Sequence, residues 1–388
     1  MRYDGAELDA LDPNLSEGFL EKLRSHNVSR RRFLAYCAGL TSLLALPVSF
    51  TTSVAEALAA TDRPRVIWLE FQDCTGCTES FLRSDDPDVG QLILDLISLD
   101  YHETLMAAAG DQAEAAKATA MASSGYLLVV EGSIPNGDGG GACTIAGRAA
   151  TDLLAEAAKG AGGIIAVGTC ATFGGIPRAR PNPTSAAGVG DFVSGVPLVN
   201  VSGCPPIADN ITATIAHYLS FGSLPPTDGL SRPLFAYGDR IHDDCPRRGH
   251  YDAGQFALAF GDEGHSDGWC LYRLGCKGPD TFNNCPEIRW NSGTSWPVQA
   301  GHGCIGCSQP EFWDTMTPFY STLTDVHGFG VEATANDIGL GVVAGTAGLF
   351  VVHGVGKSIQ HRVAARHAGA TDAPTAGPEA PRDREVRS

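Results

Sequence analysis

Asp73-Cys74-Thr75-Gly76-Cys77 sets two thiols three positions apart, directly behind the apolar run Val66 to Phe71. Glycine lets the backbone turn tightly, and thiolates are soft ligands, so the pair can close around one metal centre. Zinc, a redox dithiol and an iron–sulfur cluster all use this spacing. Further thiols stand in Gly- or Pro-rich turns: Gly168-Thr169-Cys170 and Gly203-Cys204-Pro205-Pro206, then His242-Asp243-Asp244-Cys245, Trp269-Cys270, Gly275-Cys276, Asn284-Cys285-Pro286 and Cys304-Ile305-Gly306-Cys307. The chain has twelve cysteines; without Cys37, which lies in an export leader described below, eleven are left, an odd number. A pure disulfide framework is therefore disfavoured, and metal ligation is the better default.

The elements that position the first thiols are apolar and strand-like: Val66–Phe71, Gly125–Val130, Gly163–Val167 and Val196–Val201, with Ile97–Tyr101 as another candidate. Helical patterns separate them, at Val89, Leu92, Ile93 and Leu96, along Ala149–Lys159 and along Asp209–Leu219. Continuous apolar strands alternating with helices predict a parallel, doubly wound α/β sheet, whose ligands bind beyond the carboxyl ends of the strands. Cys74, Cys77, Cys170 and Cys204 all follow such strands, so four thiols from distant parts of the chain converge on one edge. Pro205 and Pro206 can start the following helix, which would lower the pKa of Cys204. This topology leaves zinc and iron–sulfur both open.

From about Ser231 the alternation stops, and Gly, Pro, Cys and Trp increase. An irregular region of this length needs something besides a core to hold it, and its six cysteines and His242 divide into two metal sites. At the amino end, Ser29-Arg30-Arg31-Arg32-Phe33-Leu34, the apolar run Ala35–Phe50 and Ala57-Leu58-Ala59 occur in the order of a twin-arginine export leader with its cleavage site. Such export carries folded proteins, which suits a chain that receives a metal before crossing. At the other end Ile338–Gly356 carries no charge apart from His353; Lys357, Arg362 and Arg366 follow it. That predicts a membrane span with its carboxyl end in the cytoplasm and the main body outside. The expected divisions are an acidic, poorly ordered extension at 1–28, the leader at 29–59, the sheet domain at 60–230, the irregular domain at 231–327, the span at 338–356 and a disordered tail at 357–388. A net charge of −17 argues against nucleic acid as a partner.

Taken in order, the motifs Cys-Thr-Gly-Cys-Thr-Glu, Glu131-Gly132-Ser133-Ile134-Pro135, Gly-Thr-Cys-Ala-Thr-Phe-Gly-Gly, Pro181-Asn182-Pro183-Thr184, Gly-Cys-Pro-Pro, Cys245-Pro246-Arg247, Gly-Trp-Cys-Leu-Tyr, Leu-Gly-Cys-Lys-Gly-Pro and Cys-Ile-Gly-Cys carry a resemblance. Over residues 29–360 the chain resembles the small subunit of a membrane-bound nickel–iron hydrogenase of uptake type. The resemblance implies a flavodoxin-like domain, then a small iron–sulfur domain and a carboxyl-terminal transmembrane helix. It implies a proximal 4Fe–4S cluster on Cys74, Cys77, Cys170 and Cys204, a distal 4Fe–4S cluster on His242, Cys245, Cys270 and Cys276, and a medial 3Fe–4S cluster on Cys285, Cys304 and Cys307. Pro297 stands where a fourth medial thiol would serve. A missing thiolate and a neutral histidine ligand both raise a cluster's potential.

The implied activity is electron transfer from hydrogen oxidation in a separate large subunit, which holds the nickel–iron centre, to a membrane partner, a b-type cytochrome that feeds quinone. Cys143 matches no ligand position and is expected as a small buried hydrophobe. Oxygen-tolerant relatives carry extra cysteines at the positions of Gly76 and Gly175, so a six-cysteine proximal cluster is not expected. Asp73 is an alternative proximal ligand; otherwise its carboxylate bonds the turn. Rival readings are the cluster-bearing part of a respiratory quinone reductase, which lacks the second cysteine-rich region, and an exported zinc protein with structural thiols.

Overall fold

The computed structural model describes residues 11, 13–25, 28–59, 64–84, 97–322 and 335–370. The helix expected around Val89–Leu96 lies outside the described residues. The chain divides into two units, at 1–323 and 324–388.

The first unit begins with α1 (Glu17–Ser25), α2 (Arg30–Leu43) and α3 (Thr51–Leu58). The segment Glu17–Ser25, expected to belong to a poorly ordered extension, is therefore helical, with Phe19 and Leu23 buried. Next come β1 (Arg65–Glu70), α4 (Gly76–Phe81), β2 (Ser98–His102), α5 (Asp111–Met121), β3 (Tyr126–Glu131), α6 (Ala150–Gly160), β4 (Ala161–Val167), α7 (Gly168–Phe173), β5 (Leu198–Val201) and α8 (Ala208–Phe221). The five strands form one sheet in the order β2-β1-β3-β4-β5, every pairing parallel. This is the flavodoxin-like order of a doubly wound sheet.

Side chains alternate across the pleat, so each strand feeds two cores. Val66, Trp68, Leu127, Val129, Ile165 and Val167 join α8 and the amino-terminal helices on one face. Ile67, Leu69, Leu128, Val130, Ile164 and Ala166 meet α5 and α6 on the other. α8 stops at Gly222, whose φ of +65° glycine adopts without strain and whose N–H donates to Tyr218 O at 2.8 Å.

From Ser231 to residue 322 the described chain has single-turn helices, isolated bridges and loops. Its core is small and includes Ile241, Leu271, Trp296, Val298, Cys285 and Cys304. The second unit carries α9 (Ala335–Ala370), longer at both ends than the expected span, so that Lys357–Ala370, assigned to a tail, is helical. Leu340–Val363 is apolar enough to cross a membrane and wholly exposed, and its 24 residues span about 36 Å at 1.5 Å each.

Candidate metal centres

The first thiol set sits where the parallel sheet ends. β1 delivers Cys74 and, at the second residue of α4, Cys77; β4 delivers Cys170 on α7; β5 delivers Cys204. Two of the loops are stitched together: Thr169 N–H donates to Gly203 O at 2.8 Å, and Gly203 N–H to Thr169 Oγ1 at 2.9 Å. The glycines beside them leave room for sulfur. A Cβ at Gly168, where φ is +88°, would lie 2.3 Å from Cys77 Sγ; one at Gly175, where φ is +58°, would lie 2.4 Å from Cys170 Sγ. Burial pushes the Cys77 thiol well up, followed by Glu131 and the three other thiols of the set. Burial likewise pushes Cys170 up to about 11 and Cys204 to about 12. The expected lowering at Cys204 is overturned. α8 starts four residues later, at Ala208, and desolvation together with Cys170, Cys307 and Cys74 dominates. Cys77, Cys170 and Cys204, whose ionisation burial and their thiol neighbours oppose, fit a cationic centre that draws off their protons on binding.

Around the second set one cavity is lined by His242, Cys245, Cys270 and Cys276, together with Arg247, Tyr272 and Val298. The His242 ring meets Tyr251 edge-on at 4.5 Å. Burial, then Arg248, lowers the pKa of His242, which favours the neutral imidazole that a metal requires. Cys270 is pushed up to about 11 by burial and by Cys276 and Cys245.

Cys285, Cys304 and Cys307 form the third set; Cys285 and Cys304 are buried. Gly306 N–H donates to Cys304 Sγ at 3.3 Å, and Cys304 N–H to Cys276 Sγ at 3.3 Å. Cys307 couples to Cys285 and to Cys304 on one side and to Cys204 on the other. The third set therefore stands between the first and the second. Pro297 is exposed, between buried Trp296 and Val298. Cys143 is half-buried against the α5–α6 core.

A carboxylate cluster beneath the first set was not foreseen from sequence. Ligand atoms of Glu70, Asp73 and Glu131 lie within 4.8 Å of one another, and both glutamates are buried. Glu131 accepts from the N–H groups of Cys77 and Thr78 at 2.9 and 3.0 Å, and from the Thr78 hydroxyl at 2.6 Å. Burial pushes it up to about 7, and Glu103, which accepts from Glu70 N–H, to about 8. His102, stacked on Trp68, is lowered to about 4 by burial. Asp73 Oδ2 accepts from Thr75 N–H at 2.9 Å, a turn-bonded carboxylate. The signal available in sequence was Glu131, a charged residue closing a wholly apolar strand.

Residues 237–320 match the family model for the carboxyl-terminal part of the NiFe/NiFeSe hydrogenase small subunit, and residues 74–218 that for the NADH ubiquinone oxidoreductase 20 Kd subunit. The chain is 48% identical over 345 residues to the quinone-reactive Ni/Fe-hydrogenase small chain of Wolinella succinogenes, covering 86% of this chain and 97% of that one. It is 46% identical over 361 residues to the uptake hydrogenase small subunit of Afipia carboxidovorans, covering 92% and 98%. Among solved structures, the H2-activated [NiFeSe]-hydrogenase of Dm. baculatum superposes with a TM-score of 0.63 at 35% identity, covering 68% of this chain and 100% of that chain. The likeness to the quinone oxidoreductase is confined to the sheet domain, while whole-length identity joins that domain to the thiol-rich region behind it. The chain therefore belongs to the family of uptake and quinone-reactive nickel–iron hydrogenase small subunits, the electron-transfer half of an enzyme completed by a large subunit.

Proposed function

We propose that Cys74, Cys77, Cys170 and Cys204 hold a proximal 4Fe–4S cluster, His242, Cys245, Cys270 and Cys276 a distal 4Fe–4S cluster, and Cys285, Cys304 and Cys307 a medial 3Fe–4S cluster. When bound, such clusters accept and release single electrons at potentials set by their ligands and surroundings. The observation that carries the reading is the unbroken succession of thiols, in which Cys204 neighbours Cys307 and Cys304 donates its N–H to Cys276 Sγ. The residues set the order of the stations. Cys74 and Cys204 are exposed and face outward for a large subunit, whereas Cys285 and Cys304 are closed off from water. Neutral His242 withholds one negative charge from the distal site. Lys277, 2% exposed, adds a cation beside Cys276 and Cys304.

α9 anchors the subunit, and the twin-arginine leader places the body on the extracytoplasmic side, where a b-type cytochrome in the membrane passes the electrons to quinone. EPR of the purified complex tests the cluster assignment. An oxidised sample is expected to show a 3Fe signal and a reduced one the signals of two 4Fe clusters. A sample with zinc in place of iron, or without the 3Fe signal, would sink the assignment.

A further inference from the structure

One face of the sheet is covered by the chain's own amino-terminal segment. Leu34, Cys37, Ala38, Val54, Ala55 and Leu58 are between 0% and 4% exposed and share a continuous core with Trp68, Val129, Ile165 and Ile211. α3 lies along α8, where the Phe50 and Phe221 rings are 6.4 Å apart. α1 closes over α2, with Phe19 against Phe33 at 5.1 Å, and Asn14 N–H reaches Glu56 Oε1 at 2.8 Å. The buried Thr41 hydroxyl of α2 is satisfied, donating to Cys37 O at 2.7 Å. A 14-residue helix is marginal on its own in water, so this packing is what holds α2. Arg30, Arg31 and Arg32, by contrast, are exposed on its first turn, which Ser29 caps. The Ala57-Leu58-Ala59 site ends a helix, with Leu58 buried and Ala59 N–H bonded to Ala55 O at 3.0 Å. A protease needs that backbone extended.

We infer that residues 29–59 dock on a seat built from α8 and the sheet face beneath it, presenting the arginines while burying Cys37, Ala38, Leu40 and Leu44 of the apolar run and holding the cleavage site helical. Passage across the membrane and cleavage then require release of the leader. The inference rests on the twin-arginine reading of this segment, and its function is to hold back a precursor whose leader has not been drawn off its seat.

Alkylation of Cys37 with N-ethylmaleimide, followed by peptide mass mapping of the uncleaved full-length chain in its complex, reads docking directly. In the folded precursor Cys37 is expected to react about 100-fold more slowly than in the denatured chain. Val54→Asp lies in the segment that is removed, so the mature body keeps its sequence; it is expected to speed labelling at least about 10-fold and to raise cleavage of the folded precursor by signal peptidase in detergent. Labelling of the native precursor at the denatured rate overturns the docking, and labelling unaffected by Val54→Asp overturns the assigned seat. Arg30→Lys combined with Arg31→Lys tests the other premise, because labelling needs no export. Continued export of that variant overturns the twin-arginine reading whatever Cys37 does, whereas blocked export with a fast-labelling Cys37 overturns the docking alone.

Discussion

Between Arg65 and Phe221 the sheet buries an aliphatic or aromatic side chain at most strand positions and has no thiol among its buried core members; Cys77 and Cys143 only pack against that core. Between Ser231 and residue 322 the order is reversed. The main core cluster there draws eight buried members from this region, two of which are Cys285 and Cys304, with Ile207 joining from the sheet domain and Cys245 and Cys276 packed against it. In the first region the fold makes the site; in the second the site completes the fold. The first can reach its native topology before any metal arrives. The second has too little apolar surface to offset the entropy of ordering so irregular a backbone.

The largest expected effect follows from that contrast. Stripping iron with a chelator under reducing conditions should abolish amide-exchange protection across residues 239–308 while β1, β3 and β4 stay protected. Equal protection in both regions would remove the distinction. Gly168→Ala comes next, because the new Cβ meets Cys77 Sγ at 2.3 Å on a backbone with φ of +88°. The variant should lose about four iron atoms per chain and all hydrogen-driven dye reduction, with the 3Fe signal kept. Loss of every cluster would mean that the first region does not form its site independently. A smaller effect is expected where the regions meet. Asn210 on α8 and Asn284 exchange amide hydrogen bonds of 2.9 and 3.0 Å in a buried setting. Asn210→Ala strands the other amide and should cost about 1–3 kcal/mol, while the double variant should recover part of it.

The smallest concerns Glu103. Burial raises its pKa from 4.5 to about 8, so between those values the folded state holds more protons than the unfolded one. Its contribution is fully present below pH 4.5 and is lost as pH rises through 8. Glu103→Gln should therefore raise the melting temperature above pH 8 and leave it unchanged near pH 4.5. A pH-independent difference would show that the carboxylate acts through packing.

Sequence made the sheet legible because its strands are continuous apolar runs, and a parallel sheet sends its strand ends to one edge. That is why Cys74, Cys77, Cys170 and Cys204 could be grouped from topology, whereas grouping His242 with Cys245, Cys270 and Cys276 needed the family resemblance. α5 escaped notice because its buried positions are Ala113, Lys117 and Ala120, an alanine stripe with a cation in it. α1 reads as acidic and loose until Phe19 finds Phe33. The Glu70–Glu131–Glu103 cluster unites residues far apart in the chain, and only the fold brings them together. At Cys204, a rule about helix ends lost to desolvation because the helix begins at Ala208.

Thr169 Oγ1 donates to Cys307 O at 2.5 Å, and Ser202 Oγ and Arg232 Nη1 donate to Ser308 O at 2.9 and 3.3 Å. These bonds pin the middle thiol set to the ends of β4 and β5 by its backbone. In a relay of hops in series the widest gap governs throughput, and transfer falls off exponentially with separation. With clusters on the three sets as proposed, sliding the Cys304–Cys307 loop would widen one gap as it narrowed the other, so a displacement either way would slow the whole. On the proposed cluster assignment, Thr169 and Ser202 of the sheet domain, with Arg232 just beyond it, thus act as a centring device for the middle station.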